Sequence, residues 1–224
     1  MKVLKNLLAA AAVAAVVTPA FAANPIVLDF EGIGDQATIA GFYNGGTDSS
    51  GHSGVNYGVT FAGDARGIID SDQGGSGNFA NEPSSKTVLF FLSDSAVLNF
   101  AAGFDTGFSF FYSSNGAAVI DVYSGVNKTG TKLASLNLAS NFSNGGCKGD
   151  PTGTYCHWDA IGVNFAGIAK SIDFGGTSNF VAYDNVTFGS AVPVPGIPEP
   201  STYALMALGL AGIGAVVRRR RQSA

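Results

Sequence analysis

Only two histidines, His52 and His157, stand among the 224 residues, and neither sits in a nucleophile or zinc motif. There is no G-x-S-x-G turn and no histidine pair at ligand spacing, so acyl-transfer or zinc chemistry has no organised centre. Carboxylates are the richer resource. Asp184 shares the alternation parity of Phe180, Ala182, Val186 and Phe188, which predicts a carboxylate turned toward the core side of a strand. A buried lone carboxylate needs a partner. Calcium suits carboxylate and carbonyl oxygens at this density. Asp70-Ser71-Asp72 begins like a calcium loop, but Gly74 and Asn81 occupy the fifth and twelfth positions, where an EF-hand needs oxygen ligands. A glycosidase could use two of the body's carboxylates; with no catalytic motif beside them, the reading is of a noncatalytic protein.

Two cysteines and four aromatics complete the chemical inventory. Cys147 and Cys156 are expected to form a local disulfide stapling residues 145 to 157. In the chain-entropy picture, closing so short a loop contributes about 2 to 3 kcal/mol. A metal site using both cysteines and His157 is disfavoured, because adjacent side chains rarely converge on one ion. Tyr123 and Tyr183 fall on the polar parity of their strands, and Tyr155 and Trp158 flank the disulfide loop. These four could stack on pyranose rings, with Asn and Asp supplying hydrogen bonds, or pack beneath loops.

The elements that must position these groups lie between two terminal segments of different character. Lys2 and Lys5 precede the apolar run Leu7 to Val17, and Ala20-Phe21-Ala22 supplies the small residues of a signal-peptide cleavage site, so residues 1–22 read as an export signal. That places both cysteines in an oxidising compartment. From 23 to 190 the body holds six basic residues against fifteen acidic ones, a net charge of 6 − 15 = −9. Such a surface excludes nucleic acid and anionic lipid, which demand positive charge to release counterions, and is compatible with cations.

Within the body, short alternating runs separated by Gly, Asn, Ser and Asp clusters predict an all-β domain. Ten strands are expected: Ile26–Phe30, Gly58–Phe61, Thr87–Leu92, Ala96–Phe100, Gly107–Tyr112, Ala118–Tyr123, Lys132–Leu138, Ala160–Phe165, Ser171–Phe174 and Phe180–Phe188. Ile161, Val163 and Phe165 alternate with Ala160, Gly162 and Asn164, giving one core face and one wet face. Thr87 to Leu92 is continuously apolar and belongs near a sheet centre, covered on both sides. Gly41 to Gly54 and Asp70 to Asn81 read as long loops. The best architecture is a two-sheet antiparallel sandwich of jelly-roll type, with a closed barrel as the alternative.

After Ser190 the composition turns to a Pro-rich linker over 191–200, ending in Pro198-Glu199-Pro200. An apolar run over 201–217 follows, long enough as a helix to reach about 25 Å, at the short end of a membrane span. Arg218, Arg219, Arg220 and Arg221 would hold its end in the cytoplasm and leave residues 218–224 there, with the body outside.

Pro-Glu-Pro, helix and arginine cluster together resemble the PEP-CTERM sorting signal of Gram-negative bacteria that make extracellular polysaccharide. The resemblance implies an exosortase as processing partner, an inner-membrane precursor, and an end point at the cell surface or in the matrix. A second resemblance concerns the body. Leu28-Asp29-Phe30-Glu31-Gly32 at the first strand's end and Asp184 in the last resemble the arrangement of carbohydrate-binding jelly rolls, which share structural calcium there. That likeness implies Glu31 and Asp184 as side-chain ligands, with Asp29 as a further candidate, and extracellular polysaccharide as a possible partner.

Overall fold

In the computed structural model of the chain, residues 25–195 are described, apart from 63, 95, 149, 151 and 152. The expected signal peptide (1–22), Pro198, Glu199, Pro200, the span over 201–217 and Arg218 to Arg221 lie outside the described residues. Among those described, no helix is long and apolar enough to cross a membrane.

Among the described residues eleven strands form two sheets: β1 (Ile26–Leu28), β2 (Val59–Ala62), β3 (Ala65–Ile69), β4 (Thr87–Phe91), β5 (Val97–Phe104), β6 (Gly107–Ser114), β7 (Ala118–Tyr123), β8 (Lys132–Leu138), β9 (Asp159–Asn164), β10 (Ala169–Asp173) and β11 (Val181–Phe188). One sheet runs β3-β4-β11-β6-β9 with β1 also paired to β11; the other runs β2-β5-β10-β7-β8. Every strand pairing is antiparallel. The expected two-sheet sandwich is present, with β3 as the strand that the sequence pattern did not reveal.

The core between the sheets is aromatic. Phe174 stacks on Phe91 at 5.2 Å and meets Tyr183 edge-on at 4.9 Å, while Phe110 meets the same tyrosine at 5.3 Å. Leu98, Ile120, Val122 and Ile172 close the core from the second sheet. Ile161 and Val163 of β9 pack on this core as their alternation requires.

The first sheet is also covered on its outer face. Val88, Ala182, Phe79 and Tyr155 form a second apolar cluster, with Ile68, Phe90, Phe142 and Trp158 packed against it. Thr87–Phe91 is therefore sandwiched on both faces, Leu89 and Phe91 inward and Val88 and Phe90 outward, as its unbroken apolar run predicts.

β11 departs from simple alternation. Its pairing with β6 slips between Asp184 and Thr187, where Asn185 takes φ 47°, a left-handed conformation that Asn tolerates better than most residues. Tyr183 lies inward before the slip and Val186 and Phe188 lie inward after it. Asp184 consequently follows Ala182 to the outer side rather than sharing the core side with Val186 and Phe188. The same slip corrects the expectation for Tyr183, which has 0% exposure and cannot serve as a sugar platform.

The start of the Pro-rich segment is not a free linker. Ser109 Oγ donates to the Ser190 carbonyl at 2.8 Å and Val194 N donates to Thr187 Oγ1 at 3.3 Å. A Cβ at Gly162 would overlap the Ala191 carbonyl, so only glycine allows this close approach to the sheet.

Candidate functional site

Two loops build the outer face. Residues 78–80 and 154–156 are laced together: Thr154 N and Tyr155 N donate to the Asn78 carbonyl, and Ala80 N donates to the Tyr155 carbonyl at 3.0 Å. Cys147 and Cys156 form the disulfide, Cα to Cα 5.1 Å, and hold the second loop closed. Trp158 Nε1 donates to the Ala80 carbonyl at 3.0 Å, and its ring meets Phe79 edge-on at 6.4 Å.

Between these loops and β3, β4 and β11 lies a groove of about 310 Å³. Phe79, Phe90 and Tyr155 give it aromatic walls, and Gln36, Asn78 and Asn179 contribute amides. Arg66 also lines it, and among the described residues of the lining none is a carboxylate. This combination of apolar surface with a few polar groups is the usual make-up of a small-ligand site.

Of the four expected sugar-stacking residues, Tyr155 lines the groove, while Trp158 braces the loop above it. Tyr123 sits on β7 in the other sheet, its hydroxyl donating to Asp121 Oδ2 at 3.5 Å. Phe79, Phe90, Arg66 and the three amides escaped the sequence reading. One signal was available: Arg66 is the only arginine between residues 23 and 190.

The expected carboxylates converge beside this face. Glu31, just after β1, accepts from Lys86 N and Thr87 N at 2.8 Å each through Oε1. Asp184 Oδ2 accepts from Ser84 N at 2.6 Å and its Oδ1 from Asn185 N at 2.7 Å. The Ser84 hydroxyl lies within reach of three acceptors, Asp29 O at 3.1 Å, Glu31 Oε1 at 3.1 Å and Thr87 O at 3.4 Å, yet has one proton to give. Burial holds the Asp184 carboxyl well above the usual carboxylate range and nearby Glu31 adds to the rise, against the pull of the Ser84 and Asn185 donors.

Glu31, Asp29 O and Thr87 O surround the Ser84 hydroxyl and Asp184 accepts from the Ser84 amide, an all-oxygen neighbourhood of the chemistry that calcium takes. Asp29 differs from its expected part. Its carboxylate caps its own turn, accepting from Glu31 N at 3.2 Å, while its main-chain oxygen faces Ser84. Among the described residues no trio of His, Cys, Asp or Glu side chains is arranged for a metal, so a cation here would depend on main-chain oxygens.

A neighbouring recess of about 360 Å³ is lined by Asp70, Asp72, Glu82 and Asp150 together with Asn81 and Lys148. Burial, with Asp70, Glu31 and Asp150 nearby, raises the Glu82 carboxyl to about 7. The Asp70 side chain caps a short 3-10 turn over Ser71–Gln73 by accepting from Asp72 N. Both histidines are engaged with aspartates. His52 Nδ1 lies 3.1 Å from Asp48 Oδ2 and His157 Nε2 lies 3.0 Å from Asp159 Oδ1.

A model of the PEP-CTERM protein-sorting motif matches residues 196–221. The chain thus carries the sorting signal that its tail resembles, of the kind exosortases process, and is an exported protein made as a membrane-anchored precursor. No curated protein matches the chain. Among solved structures, it is similar to CsCBM6-3 from Clostridium stercorarium in complex with cellobiose, at 14% identity and TM-score 0.31, covering 58% of this chain and 81% of that one. A family 6 carbohydrate-binding module dissected for its binding subsites gives 18% identity and TM-score 0.32, over 69% of this chain and 92% of the other. A family 43 arabinoxylan arabinofuranohydrolase from Bacillus subtilis, in complex with cellotetraose, gives 17% identity and TM-score 0.35, over 63% of this chain but only 30% of the hydrolase. At such scores the likeness assigns neither ligand nor activity to this chain.

Proposed function

We propose that this chain is a noncatalytic component of the cell surface or extracellular matrix, delivered there by exosortase-type cleavage of its tail. The sorting motif at 196–221, placed directly after an acidic, disulfide-stapled sandwich, carries this reading. The test is the location and C-terminus of the protein in cells with and without the processing enzyme. Surface or matrix protein lacking the tail is expected in the normal strain, and intact protein held in the inner membrane of that strain overturns the proposal.

The groove favours a second reading, in which the body binds polysaccharide and a structural calcium holds the adjoining loops. Half-buried Phe90 offers a ring face to a pyranose, and Gln36, Asn78 and Asn179 offer donors and acceptors to its hydroxyls. A hydrolase gains no support from a groove with no carboxylate among the described residues of its lining. Detergent-solubilised full-length chain is expected to bind glycans saturably and to lose that binding in Phe90→Ala; binding indifferent to this change removes the groove from the account. Calcium would be held by Glu31, Asp184 and the carbonyls of Asp29 and Thr87. At 100 times its Kd it would stabilise the fold by about 2.7 kcal/mol, a Tm rise that disappears in Asp184→Asn; an unchanged Tm in the wild type ends the calcium reading.

A further inference from the structure

We infer that the groove selects a carboxylated sugar and that Arg66 reads the carboxylate, an inference that rests on the polysaccharide-binding reading of this groove. Arg66 stands on β3 opposite Phe90 of β4, and Phe90 stands opposite Ala182 of β11. All three line the groove, so the guanidinium rises at one end of a cross-strand row whose middle is an aromatic ring.

One side of that guanidinium is fixed. Arg66 Nη1 donates to the Gln36 carbonyl at 2.6 Å. Gln36 adopts φ 55°, a left-handed backbone uncommon for its residue type, and in that conformation its carbonyl meets the arginine. On its other side Nε is buried and has no hydrogen-bond partner among the described residues. Among the described residues no carboxylate lies within ion-pair distance of Arg66. A buried N–H left without an acceptor is unfavourable and calls for a partner. The Nε and Nη2 edge of a guanidinium matches the two oxygens of a carboxylate, a fit that a lysine ammonium cannot reproduce.

The surroundings suit an acid rather than a neutral ring alone. Among the described residues the groove lining contains no Asp or Glu, whereas Asp70, Asp72, Glu82 and Asp150 are gathered in the separate recess. Asp35, near the rim, is engaged by Ile69 N at 2.9 Å and Ser76 Oγ at 3.1 Å. The body's charge of 6 − 15 = −9 opposes a polyanion at long range, but exposed charges are screened over about 8 Å at physiological salt. A single arginine reading one carboxylate at contact therefore does not need the broad positive surface that nucleic acid demands. Phe90, the least buried aromatic of the lining, would take the ring face, and the amides its hydroxyls.

The test uses detergent-solubilised full-length chain and oligosaccharides of polygalacturonate, alginate and hyaluronate, each paired with its carboxyl-reduced form, with cellohexaose as a neutral glucan. Titration calorimetry is expected to show at least one acidic oligosaccharide binding roughly ten- to a hundredfold more tightly than its reduced form. Arg66→Gln should erase that ratio, and Arg66→Lys should restore only part of it. Equal affinity for acid and reduced forms, or a ratio unchanged in Arg66→Gln, overturns the acid preference and leaves the groove reading intact provided Phe90→Ala still abolishes binding. Absence of binding to every probe overturns both. The reduced-glycan comparison needs no variant, so a misfolded substitution does not blunt the test.

Discussion

The two faces of the six-stranded sheet are built on different rules. Its inner face meets the other sheet through Phe91, Phe108, Phe110, Tyr183 and Phe188, all with exposures of 2% or less. Its outer face meets loops, and there apolar Val88, Phe90 and Ala182 share space with Arg66 and, in the middle of β11, with Asp184. Apart from the Tyr183 hydroxyl, the inner layer is hydrocarbon whose partners are fixed by alternation, so it supplies stability. The outer layer buries polar groups that need specific partners, and such layers are where binding is placed at the expense of packing.

Truncation of a side chain packed against the inner face should give the largest effect. Phe174 touches Phe91, Phe108, Phe110 and Tyr183, and Phe174→Ala should lower the free energy of unfolding by about 3 to 5 kcal/mol. Phe90→Ala on the outer face should lower it by only about 1 to 2 kcal/mol, since part of that ring already faces the groove. Denaturant titration of both variants checks the pair, and equal losses would erase the distinction between the faces.

Opening the disulfide comes next. Replacing Cys147 and Cys156 with serine should remove about 2 to 3 kcal/mol, chiefly by freeing the unfolded chain. Because the loop lies only on the outer face, native-state hydrogen exchange should quicken at Tyr155 and Ala80, whose amides are bonded across the two loops, before it quickens in β10. Uniform acceleration would mean that the outer layer is not a separate unit. Trp158→Phe, which keeps the ring contact with Phe79 and deletes one hydrogen bond to Ala80, should have an effect of about 1 kcal/mol by the same titration.

These contrasts match what was legible in the sequence. Ala118–Tyr123 and Lys132–Leu138 have the boundaries expected from alternation, because each has one buried and one wetter face. Cys147 and Cys156 paired as their closeness in sequence suggested. β3 was hidden because Ala65-Arg66-Gly67 offers neither alternation nor bulk; Gly67 lies so close to Ile33 that a Cβ would clash. The side of Asp184 was misread because one residue in a left-handed conformation reverses every side chain on its far side. The groove was illegible for another reason: Arg66, Phe79, Tyr155 and Asn179 come from distant parts of the chain, and no local period records their meeting.

The last prediction concerns slope rather than size. Burial and neighbouring carboxylates raise Glu82 from 4.5 to about 7 in the folded protein. A carboxyl raised on folding keeps its proton longer in the native state, so its contribution to stability is complete below pH 4.5 and is lost as pH climbs through about 7. In calcium-free buffer the wild type should therefore weaken across that window relative to Glu82→Gln, and their two stability curves should converge at the acid end apart from a constant offset. A widening of the gap in the opposite sense, with the wild type gaining on Glu82→Gln as pH rises, would mean that Glu82 is stabilised as an anion and that the acidic recess is a site of attraction rather than of crowded like charges.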